Sequence, residues 1–225
     1  MFRALLWDFD GLILDTETPD VVTWQELFAE HGLEFPDWCW IGMIGRRLDT
    51  AAVHPLDLLE QELGRTVDRD ALSSRRRARR KELIDQNDTL PGVRELLSDA
   101  KAAGLRVAVV SSSDRKWLEN HLDRIGLLDE FEFLSCGYEG LPSKPDPALY
   151  VAALDRLGFE PGEVVTLEDS PNGIAAAVDA GIWTIAVPNF LTDRLDLSRA
   201  HCRVESLLGL GIDALFARLP KPAAS

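Results

Sequence analysis

The alternation of elements that begins at Leu90-Pro91-Gly92 constrains the fold more than any other feature of this sequence. Beyond that point the spacing predicts a helix to Gly104, a β-branched run over 105–110, a helix over 114–125 and an apolar patch over 131–134. A helix over 147–157, a strand over 164–167, a helix over 171–180 and a last strand over 182–187 follow. Strand, helix and strand at this rhythm call for parallel βαβ crossovers. The short apolar segment Leu5-Leu6-Trp7, bounded by Asp8-Phe9-Asp10-Gly11, reads as a further buried strand of the same sheet.

Between that strand and the alternation, residues 18–89 carry helical signals and no strand signal. Thr18-Pro19-Asp20 reads as an N-cap with proline in the first turn, Val21, Trp24, Leu27 and Phe28 recur at helical spacing, and His31-Gly32 closes the helix. An aromatic-rich stretch over 35–44, a helix from Pro55 to Gly64 and another from an Asp68 cap to about Asn87 complete the segment. The expected architecture is therefore an α/β core with a doubly wound parallel sheet, residues 1–16 and 89–218, and a small all-helical cap domain, residues 17–88. Residues 219–225 form a Pro-Ala tail.

Composition narrows the function. With 225 residues and 46% apolar side chains the chain can bury a sizeable core. Its 38 acidic against 24 basic side chains give a formal charge of −14, which disfavours nucleic acid and anionic membrane as partners. No apolar run reaches the ~18 residues of a membrane span, and no basic segment followed by an apolar one opens the chain. The three cysteines, Cys39, Cys136 and Cys202, are widely spaced and form no Cys-x-x-Cys pair, so they read as reduced core thiols. A cytoplasmic protein, a monomer or weak homo-oligomer, is expected.

Ligands of open parallel sheets bind beyond the carboxyl ends of the strands, so the residues there carry the chemistry. Asp8 and Asp10 leave an ideal strand on one face; such close like charges raise each other's pKa unless a cation lies between them. A second carboxylate pair, Glu168-Asp169, follows 164–167 in the same way, and the two tips together suit a hard divalent cation, Mg²⁺. Ser111 ends the run 105–110 and is the candidate for holding an anionic oxygen. For Ser112 and Ser113 the first reading is ordinary capping of the next helix, by Ser113 or Asp114, with Ser112 kept beside Ser111 as a phosphate-binding candidate. In Ser143-Lys144-Pro145 a proline stiffens the backbone that aims the ammonium. Carboxylates, hydroxyl, ammonium and carboxylates on four tips match the needs of phosphoryl transfer.

Trp7-Asp8-Phe9-Asp10-Gly11, Val110-Ser111, Ser143-Lys144-Pro145 and Leu167-Glu168-Asp169-Ser170-Pro171-Asn172-Gly173 resemble, in order, the four motifs of the haloacid dehalogenase-like hydrolase superfamily. The helical insert between the first two resembles the subgroup that includes β-phosphoglucomutase and many sugar-phosphate phosphatases. The resemblance implies that Asp8 is the nucleophile and forms an aspartyl phosphate, and that Asp10 protonates the leaving oxygen and then activates water. It implies Mg²⁺ held by the Asp8 carboxylate, the Asp10 carbonyl and Asp169, with Glu168 bound directly or through water, and a phosphoryl group held by Ser111 and Lys144. The implied substrate is a small phosphorylated metabolite.

Substrate preference is expected from the helical insert, with Thr16, Asp20, Arg46, Arg47 and Arg77 or Arg79 as candidates. The basic run over 75–81 reads first as a solvated helix paired with acids such as Glu82 and Asp85. Asp20 stands where the phosphomutase carries a histidine, and the lysine beside its substrate loop is missing, so hydrolysis is favoured over mutase chemistry. A dehalogenase needs neither Asp10 nor the metal cradle, and a non-catalytic module would not keep all four motifs intact. Trp24, Trp38 and Trp40 read as packing residues, the four histidines as incidental, and His201-Cys202 as lying beyond the last strand.

Overall fold

The computed structural model describes residues 1–41, 53–137 and 140–220. Two compact units emerge, one formed by Met1–Leu14 with Thr89–Ser225 and the other by Asp15–Asp88.

The first unit is built on a six-stranded, all-parallel sheet. Its strands are β1 (Ala4–Trp7), β2 (Arg106–Ser111), β3 (Leu134–Cys136), β4 (Val164–Glu168), β5 (Trp183–Ala186) and β6 (Cys202–Arg203), in the spatial order 3-2-1-4-5-6. That is the doubly wound order, with the N-terminal strand at the centre. The registers Trp7 opposite Val109 and Trp7 opposite Leu167 bring the ends of β1, β2 and β4 level, so Asp8 lies beside Val110 and Glu168. All residues of β1 and β4 are buried, as expected of strands covered on both faces.

The sequence differs from the structure at two strands. The apolar patch at 131–134 lies slightly ahead of β3, Leu134–Cys136, although Glu132 and Phe133 already bond to Val107 and Val109 at 2.9 and 3.1 Å. Phe131 and Phe133 supply the buried anchors that set the apolar signal slightly early. At the other edge, 182–187 is not the last strand: Cys202–Arg203 pairs with β5 as β6, and His201 Nδ1 accepts a hydrogen bond from the Thr184 amide at 3.0 Å. A two-residue edge strand leaves no periodicity to read.

Helices α5 (Val93–Ala102), α6 (Arg115–Arg124), α7 (Ala148–Leu157), α8 (Pro171–Asp179) and α9 (Ile212–Phe216) belong to this unit. Leu149, Tyr150, Ala153 and Leu154 of α7 pack with Leu6 and Val110 in one buried cluster. Gly92 cannot be another residue, because its φ is +84° and a Cβ there would lie 2.2 Å from the Leu207 carbonyl carbon.

In the second unit the described elements are α1 (Glu17–Ala29), α2 (Asp37–Ile41), α3 (Pro55–Leu63) and α4 (Arg69–Asp85), with no strand among the described residues. His54 caps α3 with Pro55 behind it, and Asp68 caps α4 through the Ala71 amide at 3.0 Å. The start of α1 differs from expectation: Asp15, rather than Thr18, does the capping, its Oδ1 accepting from the Thr18 amide at 2.9 Å. Trp24 and Trp40 are buried, but Trp38 is 56% exposed and is not a packing residue. Among the described residues no helix is long and apolar enough to cross a membrane.

Candidate active site

The centre of the strand-tip cluster is Lys144. Its Nζ donates to Asp8 Oδ1 at 2.6 Å, Glu168 Oε1 at 2.6 Å and the Val110 carbonyl at 2.7 Å, and its side chain is 4% exposed. The loop that carries it is tied down at the backbone, where the Lys144 amide donates to Ser112 Oγ at 3.2 Å. Three tips are thereby linked through one ammonium: β1 by Asp8, β2 by Val110 and β4 by Glu168. Glu168 receives a second donor, the hydroxyl of Tyr150 on α7, which also lies 3.2 Å from Thr166 Oγ1.

Burial sets the electrostatics. Burial, followed by the neighbouring Glu168 charge, pushes the Asp8 carboxyl up to about 7 against the lowering pull of Lys144. Burial by itself lowers a lysine, yet the Asp8 and Glu168 carboxylates hold the Lys144 ammonium well above its ordinary value. The Tyr150 phenol is raised by burial and then by the Glu168 charge, so it remains a donor.

Asp8, Glu168 and Asp169 each place one carboxylate oxygen within 4.8 Å of the others, all three residues being buried. One ammonium among three carboxylates leaves negative charge in a desolvated place, and Glu168 Oε2 is buried without a hydrogen-bond partner among the described residues. An all-oxygen set of this charge fits a hard divalent cation. Glu168 is held close by Gly173 of α8, where a Cβ would stand 1.8 Å from Oε2; the Gly173 amide donates to the capping Ser170 Oγ at 3.2 Å. A side chain at 173 would displace Glu168.

Asp10 is held on different partners. Its Oδ2 accepts from Ser113 Oγ at 2.6 Å and Ser111 Oγ at 3.3 Å, and its Oδ1 accepts from Trp117 Nε1 at 3.0 Å. Ser113 is therefore not the cap of α6. Asp114 is, accepting from the Trp117 amide at 2.9 Å. Ser111 is 1% exposed and also accepts from the Ser113 amide at 3.0 Å. His121 is buried with its ring edge-on to Trp117 at 4.2 Å between centroids, so it supports the tryptophan that holds Asp10.

The structure brings Asp8, Asp10, Ser111, Ser112, Lys144, Glu168 and Asp169 together at the ends of β1, β2 and β4. It also recruits Ser113, which the sequence reading took first as a cap, and Trp117, Tyr150 and Asn189, which it did not single out. Asn189 Nδ2 donates to Asp169 Oδ2 at 2.8 Å. A proline two residues after β5 was the only local signal for it, and that marks a turn rather than a ligand.

Of the candidates in the helical unit, Thr16 and Asp20 share Arg80 as a partner, and Arg77 does not join them. Asp20 Oδ1 accepts from Arg76 Nη1 at 2.9 Å and lies 2.9 Å from Arg80 Nε, while Arg80 Nη2 donates to the Thr16 carbonyl at 3.4 Å. Arg77 is exposed and bonds Ser74 on its own helix, so Arg76 and Arg80, not Arg77, converge on Asp20. Arg79 pairs with Glu26 and Glu82, and Lys81 with Asp85, as a solvated helix would arrange them. Arg46 and Arg47 lie outside the described residues.

The chain is similar to several known proteins. The chain is 38% identical over 219 residues to the Bacillus subtilis (strain 168) protein named "Putative phosphatase YhcW", covering 97% of this chain and 98% of that one. It is 33% identical to hexitol phosphatase B of Escherichia coli (strain K12), over 82% of this chain and 83% of the relative. Among solved structures, a CbbY variant from Rhodobacter sphaeroides in complex with xylulose-(1,5)bisphosphate superposes with a TM-score of 0.72 at 25% identity, covering 96% of this chain and 99% of that one. The family model described as haloacid dehalogenase-like hydrolase matches residues 2–181, and with the four motifs assembled at the strand tips, the chain belongs to the haloacid dehalogenase-like hydrolases.

Proposed function

We propose that this protein is a Mg²⁺-dependent phosphatase of the cytoplasm that hydrolyses a small phosphorylated metabolite of the sugar-phosphate class through an aspartyl phosphate on Asp8. The observation that carries the reading is the buried Lys144 ammonium bonded to both Asp8 and Glu168. It fixes the Asp8 carboxylate and offsets the charge that would otherwise repel an anionic substrate. The relatives named for phosphatase activity, and the bisphosphate in complex with CbbY, support the substrate class.

In this scheme the Asp8 carboxylate forms a bond to phosphorus as the bond from phosphorus to the substrate's alcohol oxygen breaks. Asp10 gives that oxygen a proton, then takes one from the water that cleaves the acyl phosphate, releasing phosphate and restoring Asp8. Ser111 and Lys144 bind the phosphoryl oxygens, with Ser112 beside them. Asp8, Glu168 and Asp169 would hold Mg²⁺, which when bound neutralises charge on the transferring group. Asp20 and the arginines of α4, with Thr16, Arg46 and Arg47, are the proposed source of substrate preference; residues 17–88 are the proposed cap domain.

The test is a panel of sugar phosphates with Mg²⁺, following free phosphate and isomerised product together. Free phosphate without isomer is expected, with loss on chelation. Asp8→Asn should reduce turnover on the order of 10⁴-fold with an unchanged circular dichroism spectrum. Near-normal turnover of that variant overturns the nucleophile, and isomer without phosphate overturns the phosphatase.

A further inference from the structure

Asn189 is a side chain at the strand tips whose bonding the proposed chemistry does not use. It lies on the loop after β5 and uses its whole amide. Oδ1 accepts from the backbone amides of Leu191 at 2.8 Å and Thr192 at 3.0 Å, and the Asn189 amide itself donates to Thr192 Oγ1 at 2.9 Å. Two backbone N–H groups can only face an acceptor, so the orientation of the side-chain amide is settled and Nδ2 must point the other way. There it donates to Asp169 Oδ2 at 2.8 Å and to the Gly11 carbonyl at 3.1 Å.

This one amide therefore joins three loops. Gly11 directly follows Asp10 after β1, Asp169 follows β4, and the turn over 189–192 follows β5. A loop hydrogen-bonded only to itself would do nothing to the site. Here the loop's rigidity is passed to one oxygen of a buried carboxylate, leaving the other oxygen's direction defined. Such a donor to a ligating carboxylate fixes its rotamer before the ion arrives and reduces what must be ordered on binding.

We infer that Asn189 is a positioning residue that orients Asp169 for a divalent cation and ties the β1 and β4 tips together through Gly11. The inference rests on the proposed function, in which Asp169 is a metal ligand. Asn189 needs no contact with the ion or the substrate to act.

The experiment measures Mg²⁺ binding to the full chain by titration calorimetry, in the absence of substrate. Asn189→Ser keeps an oxygen that can accept from the Thr192 amide but cannot span to Asp169. Its Mg²⁺ dissociation constant should rise on the order of ten-fold while the metal-free melting temperature stays near wild type. In the Asp169→Ala background the same replacement should add nothing, because Asn189 acts through Asp169. An Asn189→Ser constant within two-fold of wild type, or an equal further loss in the Asp169→Ala background, overturns the inference. Asn189→Gln, read the same way, serves if Asn189→Ser does not fold: it keeps the amide but moves it by one methylene, and unchanged Mg²⁺ affinity there also overturns the inference. Unweakened Mg²⁺ binding in Asp169→Ala alone would instead sink the metal site of the proposed function, a different failure with a different signature.

Discussion

The strand-tip site and helix α4 both concentrate charge, and they do it in opposite ways. At the strand tips one ammonium, 4% exposed, bridges carboxylates that are 10% and 0% exposed, and every partner is fixed by sheet backbone. On α4 the arginines pair with acids of α1 and its C-terminal end, of α3 and of their own helix, and the Arg79 and Glu26 side chains are each 43% exposed. Buried charge is held in one geometry because leaving it unpaired is costly; exposed charge can exchange a partner for water at little cost. Arg76 stands between the two extremes, 9% exposed, bonded to Asp20 and lying 4.0 Å over the Trp24 ring.

The sharpest way to break this contrast is to remove the central cation. Lys144→Met should cost about 3–5 kcal/mol in denaturant unfolding, because Asp8 and Glu168 lose their shared partner, and it should also abolish turnover. If it costs no more than an α4 arginine, the two regions do not differ as described.

A pH titration of the metal-free protein sharpens the same point. Asp8 sits at about 7 when folded against an ordinary value of 3.8, so between those limits the folded state keeps a proton that the unfolded chain has released. Its contribution to stability therefore falls as pH rises from about 4 to about 7 and is level above that. The lowered His54 and His201 act in the opposite sense, losing stability as pH falls. The Asp8 part is accordingly read as the melting temperature of wild type minus that of Asp8→Asn. This difference should decline across the window and flatten when Mg²⁺ is added; a rising difference would contradict the burial of Asp8.

The smallest effects belong to α4. Arg76→Ala should cost about 1–2 kcal/mol, losing a half-buried ion pair and a cation–π contact. Arg79→Ala should leave the unfolding midpoint within experimental error. Equal losses would show that burial is not what separates the arginines of this helix.

Much of the site was legible because parallel sheets gather strand ends at one edge, and Asp8, Ser111, Lys144 and Glu168 each stand just past an apolar run or between turn residues. Other parts were not. Tyr150 and Trp117 occupy ordinary helical positions, and nothing in their spacing tells that one hydroxyl reaches Glu168 and one indole reaches Asp10. The cap of α6 was left open between Ser113 and Asp114, both residues that commonly cap; Asp114 takes that role and Ser113 turns to Asp10 instead.

By itself, the sequence determined the parallel α/β core, apart from its β6 edge, the order of its motifs and which polar residues stand at its strand tips, since periodicity and turn residues are local properties of the chain. Only the tertiary structure decided how the charges are shared. The bridging by Lys144, the anchoring of Asp10 on the β2 loop and the tie from Asn189 to Asp169 each join residues between 20 and 136 positions apart. Hydrogen bonds depend on distances of a few tenths of an ångström, and over such separations those are set by the packing of the sheet.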